Sequence, residues 1–239
     1  MTVLGSWAAW PTPRHACSGY LVEHQGFGLV VDLGYATLPN LLSAVRAESV
    51  DAVLISHRHP DHLADLHPRL RARALGDSPP PALPVSTQPG AVDAVLALDG
   101  PGMLDDAYQC REFAAGDRFT LGPFSVETWL LPHFQPNAGI RLKAGGKVLA
   151  YTGDTGPSRN LVSLAADVDL LVADATFADH VPEAFRPYLS TAREAGKVAA
   201  LAGVRHLMLS HPRPSGRGPR RLCRRSLTPR PSLHDAPSG

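Results

Sequence analysis

The chain has 239 residues, 44% of them hydrophobic, a length and composition suited to one large soluble domain with a substantial core. Its formal net charge of +1 provides no overall field that would select a nucleic acid or a membrane surface as partner. The 3 cysteines, Cys17, Cys110 and Cys223, are far apart and form no CxxC pair, which argues against a disulfide framework or a thiolate zinc site and fits a reducing cytosol.

The N-terminal "MTVLGSWAAWPTP" lacks a charged n-region and breaks at prolines, so it does not read as a signal peptide. No apolar run approaches the ~20 residues that span a bilayer, so the expected setting is cytoplasmic, with no membrane partner. "TVLG" reads as a strand, and "GYLVE" and "GLVVDLG" as a hairpin joined through "HQGF". "LPNLLSAVRAE" has helical spacing. "DAVLIS" is a continuous apolar run, as in a strand buried on both faces. "LADLHPRLRARALG" predicts a helix with Pro68 near its start or at a kink, "SPPPALPV" a stiff connection into a strand, and "GAVDAVLAL" a helix. The middle is strand-rich, through "YQCREF", "RFTLG", "FSVETWLLP", "GIRLKAG" and "KVLAYTG", with "KAGGK" as a hairpin turn. "NLVSLAAD" predicts a short helix and "VDLLVADA" another buried strand. "STAREAGKVAALAG" predicts a helix with a Thr191/Glu194 capping box and Gly203 as its stop, and "RHLMLSH" closes the series as a strand. Strands separated by helices, plus a run of hairpins, predict two packed sheets with helices outside.

From Pro212 onward the composition changes. Residues 1–211 carry 16 basic and 21 acidic residues, whereas the remainder carries 7 arginines and 1 acid with almost nothing apolar. Such a segment cannot bury enough surface to fold alone, so the expected organisation is a domain over residues 1–213 and an Arg/Pro/Ser-rich tail over 214–239.

The stretch "DAVLISHRHPDHLAD" places His57, His59, Asp61 and His62 directly after a buried strand. Imidazole and carboxylate are the ligands that zinc and similar divalent ions take where no cysteine is present. Alternation along "HRH" points His57 and His59 to one side, and a turn at Pro60 swings Asp61 and His62 round to serve a second ion. One loop cannot complete two sites, and further candidates stand at other strand ends: His133 after "WLLP", Asp154 in "YTGDTG" and His211 after "LMLS". Asp32, at the end of "LVVDLG", reads either as a group that aims the imidazoles or as a cap. Trp7 and Trp10 read either as stacking partners for a base or as cover for the core edge.

This pattern resembles the metallo-β-lactamase superfamily, with the H-x-H-x-D-H block at residues 57–62 as its most specific mark. The resemblance implies a four-layer αββα sandwich of mixed α/β class, with the site at the edge where the two sheets meet. It implies one metal on His57, His59 and His133, another on Asp61, His62 and His211, and Asp154 bridging them. The metals would be two divalent ions, zinc or else manganese. They would share an acidified water, with Asp61 as the catalytic residue that orients it or takes its proton. True lactamases usually carry cysteine where Asp154 stands, which disfavours lactam hydrolysis. "LGSWAAWPTPR", "PHFQPNAGIRL" and "ADATF" look like the ribonuclease Z-like phosphodiesterase branch, which includes bacterial enzymes that cleave cyclic nucleotides. Ribonuclease Z carries a histidine and a glutamate where this chain has Ala173 and Asp174, and the chain has no Gly/Pro-rich insertion of the kind that grips tRNA. The implied activity is therefore cleavage of a cyclic nucleotide or other small phosphodiester, ahead of tRNA 3′ processing. A thioester or lactone hydrolase and a non-catalytic metal-stabilised binding protein are the remaining readings, and a homodimer is compatible with all of them. His180 and Asp174 are the near-motif candidates for the leaving-group acid.

Overall fold

The computed structural model describes residues 1–213; the expected tail lies outside the described residues. Strands β1 (Thr2–Gly5), β2 (Gly19–His24), β3 (Phe27–Leu33), β4 (Ala52–Leu54), β5 (Leu83–Thr87) and β6 (Tyr108–Glu112) form one six-stranded sheet in that order. Strands β7 (Arg118–Leu121), β8 (Phe124–Leu131), β9 (Asn137–Ala144), β10 (Lys147–Tyr151), β11 (Leu170–Asp174) and β12 (His206–Ser210) form the second, in the order β12-β11-β10-β9-β8-β7. Both sheets are mixed. β3 to β6 run parallel, as do β10 to β12, and the hairpin strands pair antiparallel.

Alternation of side chains distributes the core over three layers. Leu29 and Val31 of β3 and Leu54 of β4 point between the sheets, where they meet Val126, Ile140 and Tyr151. Their neighbours Val30, Val53 and Ile55 point the other way, onto helices α1 (Thr37–Ala44), α2 (Pro60–Leu63) and α3 (Leu66–Ala74). In the second sheet Leu171 and Ala173 of β11 pack on α5 (Asn160–Ala165) and α6 (Ala192–Leu201), while Val172 faces inward. Burial on both faces explains why these strands read as unbroken apolar runs. Each fully buried Leu, Ile or Val contributes roughly 1.5–3 kcal/mol. The result is the expected four-layer sandwich.

The two predicted hairpins form on residues that take left-handed backbone: Gln25-Gly26 at φ 50 and 79°, and Gly145-Gly146 at φ 54 and 71°. The predicted capping box of α6 is present, with Thr191 accepting from the Glu194 amide and Glu194 accepting from the Thr191 amide. Pro68 is the third residue of α3, where its missing N–H leaves no helical bond unmade, so the helix starts there without a kink. Two predicted helices are shorter than the pattern suggested. "GAVDAVLAL" forms only the single turn α4 (Asp93–Leu96), because Asp99 is drawn onto His67 and Arg71 of α3 and turns the chain away. The first helix ends at Ala44, after which Val45 is extended and the chain passes into a 3-10 turn at Ala47–Ser49.

β8, β10, β11 and β12 run in one direction, and the residues that follow β8, β10 and β12 meet those that follow β4 on one rim of the sandwich. Close backbone approach tightens that rim. A Cβ on Gly34 would lie 1.9 Å from the Asp61 carbonyl oxygen and 2.9 Å from Cys17 Cβ. Gly34→Ala should therefore destabilise the protein by roughly 2–3 kcal/mol, a loss of several degrees in melting temperature. An unchanged melting curve would show that the histidine loop can shift away freely.

Candidate metal centre

The histidine loop is built by local rules. His57 follows β4, His59 is extended at the cap of α2, and Pro60 opens that helix at the position where its missing N–H costs nothing. The single turn of α2 then presents Asp61 and His62, both buried. His133 follows β8, and Asp154 sits in the turn after β10, which Asn137 holds by donating to the Thr152 and Asp154 carbonyls. His211 follows β12 in left-handed backbone at φ 60°, tied by its amide to the Ser6 carbonyl at 2.7 Å.

All seven residues singled out in the sequence meet at this rim. His57, His59, His133 and Asp154 offer donor atoms within 4.8 Å of one another, and so do Asp61, His62, Asp154 and His211. Within the first group His59 Nδ1 lies 3.1 Å from His57 Nε2 and 3.0 Å from His133 Nε2. In the second, His211 Nε2 lies 3.1 Å from Asp61 and 3.2 Å from Asp154. Asp154 belongs to both: its Oδ2 faces His133 and His211, and its Oδ1 lies 3.2 Å from His62 Nε2.

The surroundings fix which ring nitrogen faces inward. Asp32 carries much of this load. It occupies a β-bulge in left-handed backbone at φ 58°, where the β2–β3 register slips, and the bulge aims its carboxylate under the site. Asp32 Oδ2 accepts from His62 Nδ1 at 2.7 Å, Ser56 Oγ at 2.7 Å and Tyr151 OH at 2.8 Å, and Oδ1 accepts from the Ser56 amide. Because Ser56 Oγ donates to Asp32, it accepts from His57 Nδ1 at 3.0 Å, leaving the His57 Nε2 lone pair inward. His133 Nδ1 donates to the Tyr188 carbonyl at 2.9 Å. His211 Nδ1 donates to Thr176 Oγ1 at 2.9 Å, which in turn donates to Asp174. Of the two readings of Asp32, this geometry supports the one in which it orients imidazoles. Tyr151, Ser56, Thr176 and the Tyr188 carbonyl were not singled out in the sequence. Tyr151 arrives from the opposite sheet, Thr176 from the end of the neighbouring strand and Tyr188 from a loop, while Ser56, although next to His57, carries no pattern that shows its bond to Asp32.

The donor set fits a cation. His62 Nε2 and Asp154 Oδ1 are buried without a hydrogen-bond partner although they lie 3.2 Å apart, and both belong to the second four-donor group. Burial, reinforced by the neighbouring imidazoles, holds His57, His59 and His133 below the usual histidine pKa, so their lone pairs are available at neutral pH. Burial opposes charge on Asp61 too, yet the His211 hydrogen bond and the His62 charge bring its pKa down to about 2. Asp154 is held well below the carboxylate range by His211 and His62 against the cost of its burial.

Other candidates fall outside this cluster. His180 is solvent-exposed, and Asp174 is buried beneath His211, accepting from Thr155, Thr176 and Ser190, so neither lines the cavity over the site. Burial, with Asp154 nearby, raises Asp174 to about 6. Trp7 stacks on His15, whereas Trp10 lines the cavity. Among the described residues, Cys17 and Cys110 are free thiols, and no helix is long and apolar enough to cross a membrane.

Comparison with known proteins agrees with this architecture. Residues 28–212 match the family described as "Beta-lactamase superfamily domain". The chain is 29% identical over 215 residues to the probable metallo-hydrolase YhfI of Bacillus subtilis, covering 88% of this chain and 86% of that one. The crystal structure of YhfI, described as a metallo-beta-lactamase fold protein, superposes with a TM-score of 0.80 over 90% of this chain and 86% of YhfI. Protein Rv1339 of Mycobacterium tuberculosis is 34% identical over 219 residues, covering 88% of this chain and 80% of Rv1339. Ribonuclease Z of Halorubrum lacusprofundi is 27% identical over 265 residues, covering 88% and 85%.

Proposed function

The chain belongs to the β-lactamase superfamily, and on that premise we propose that it is a dinuclear metal-dependent hydrolase of small phosphodiesters, with a cyclic nucleotide as the leading substrate class. The observation that carries this reading is the pair of four-donor groups that share Asp154. His57, His59 and His133 would hold one divalent ion and Asp61, His62 and His211 the other, with Asp154 between them. Zinc suits this imidazole and carboxylate set, and manganese is the alternative. Bound at this rim, two such ions would acidify a water towards neutrality and offset negative charge on phosphoryl oxygens.

The chain's own residues do the rest. Asp61 is ionised at neutral pH and is held by the Ala9 amide at 2.8 Å, so it accepts a hydrogen bond from the attacking water and fixes its direction. The neutral imidazoles of His57, His59 and His133 add no negative charge, so two carboxylates face up to four positive charges and the site attracts an anionic ester. Pro60, Trp10 and Phe134 line the cavity beside these groups and give it an apolar wall. Cleavage of an RNA phosphodiester is the second reading, favoured by the likeness to ribonuclease Z over most of both chains.

The test is hydrolysis of bis(p-nitrophenyl) phosphate by chelator-stripped protein, with zinc or manganese added back. Activity should vanish on stripping, return with metal, and be strongly reduced in His59→Ala. Two tightly held metals without turnover would reject the phosphodiester reading and turn attention to thioesters and lactones.

A further inference from the structure

The cavity over the site, about 350 Å³, has two chemically distinct halves. One half is the histidine and aspartate cluster. The other is aromatic: Trp10, Phe134 and Phe185 line it while remaining 40%, 45% and 39% exposed, with Phe177 beside them. Three large rings left this wet around a single cavity form an apolar patch of the kind that marks a ligand surface. Phe134 directly follows His133 in sequence, and its ring centroid lies 5.2 Å from that imidazole. The ring is held in place by Tyr188, tilted 34° at 4.5 Å, and by the edge of Phe185 at 6.1 Å. The Tyr188 carbonyl also fixes His133, so one segment sets both the aromatic wall and an inward-facing nitrogen. Arg213 is the one Lys or Arg among the described residues lining the cavity; its amide is tied to the Thr176 carbonyl and its guanidinium lies 5.8 Å from the Phe177 centroid.

Resting on the phosphodiesterase reading above, we propose that Phe134, supported by Phe185 and joined by Trp10, is the specificity-determining platform on which the base of a mononucleotide stacks, while Arg213 contacts its phosphate. Stacking on an aromatic face tolerates any base and uses the ring area that folding leaves exposed. A cation lining the same cavity, over the Phe177 ring, suits the phosphoryl oxygens. The platform and the cation therefore divide recognition between the flat and the charged parts of one ligand.

The probes are 5′-AMP and ribose 5-phosphate, which share sugar and phosphate and differ in the base. Their binding is measured calorimetrically on the full chain with zinc added back. Wild type should bind 5′-AMP at least about fivefold tighter. Phe134→Leu, which keeps apolar bulk without the π face, should bring that ratio close to one with ribose 5-phosphate binding unaltered. Arg213→Gln should weaken both ligands by a similar factor and keep the ratio. Equal wild-type affinities, or a Phe134→Leu loss shared by both ligands, would overturn the platform. So would a short RNA that binds more than tenfold tighter than 5′-AMP, since it would place the recognition surface beyond a mononucleotide. Turnover of bis(p-nitrophenyl) phosphate, measured alongside, reports on the hydrolase reading separately. Base discrimination without turnover upholds the platform and sinks the phosphodiesterase reading. Turnover without discrimination does the reverse.

Discussion

Asp154→Ala should cost more activity than any single histidine substitution, at least three orders of magnitude in kcat/KM, or about 4 kcal/mol of barrier. The reason is that Asp154 is the one residue present in both donor groups. His59→Ala removes one donor from the first group and leaves Asp61, His62, Asp154 and His211 intact, so that variant should keep about one ion per chain. Asp154→Ala leaves each group with three donors. It also removes the one negative charge that stands between the two groups, which would offset repulsion between two adjacent cations. Both ions should then be held weakly, with less than one per chain surviving dialysis. Elemental analysis of the two variants side by side decides the matter. An Asp154→Ala protein that keeps two ions and activity within tenfold of wild type would end the proposal of a bridging carboxylate.

The sequence showed much of this site because the chain writes it in two legible ways. His57 to His62 are contiguous, and their crowding after a buried strand has few structural explanations. His133, Asp154 and His211 each follow an apolar strand, and strands of one direction deliver their ends to one rim. The donors' supports were less legible. Tyr151 reaches Asp32 across 119 residues, Thr176 reaches His211 across 35, and Tyr188 reaches His133 through a backbone carbonyl that no side-chain pattern reveals. Asp32 could be suspected at its strand end, but the left-handed bulge that aims it depends on how β2 and β3 pair. The helix lengths failed for a similar reason. Apolar spacing in "GAVDAVLAL" favours a helix, while the Asp99 contacts to α3 that end it lie about 30 residues back in the chain.

Asp32→Ala should be the most damaging substitution outside the seven donors. The carboxylate is fully buried and accepts four hydrogen bonds, from Ser56 twice, His62 and Tyr151. Removing it leaves those donors without an acceptor and the buried His62 without its closest counter-charge, a loss of roughly 3–5 kcal/mol. That is a large share of the 5–15 kcal/mol that typically holds a domain together. The same change releases the His62 ring and, through Ser56, the His57 ring, so it reaches one member of each donor group. Zinc affinity should fall about 10- to 100-fold. Tyr151→Phe provides the comparison, because it removes one of the three bonds to Oδ2 and keeps the ring in the inter-sheet core; it should cost about 1 kcal/mol and little affinity. Asp32→Asn should fall between the two, since its amide nitrogen would face donors on one side. Denaturant unfolding of the metal-free proteins and competitive zinc titration measure the two effects independently. If Asp32→Ala proves no worse than Tyr151→Phe in both, the carboxylate is only a filler beneath the site, and the orientation of His57 and His62 must come from their packing alone.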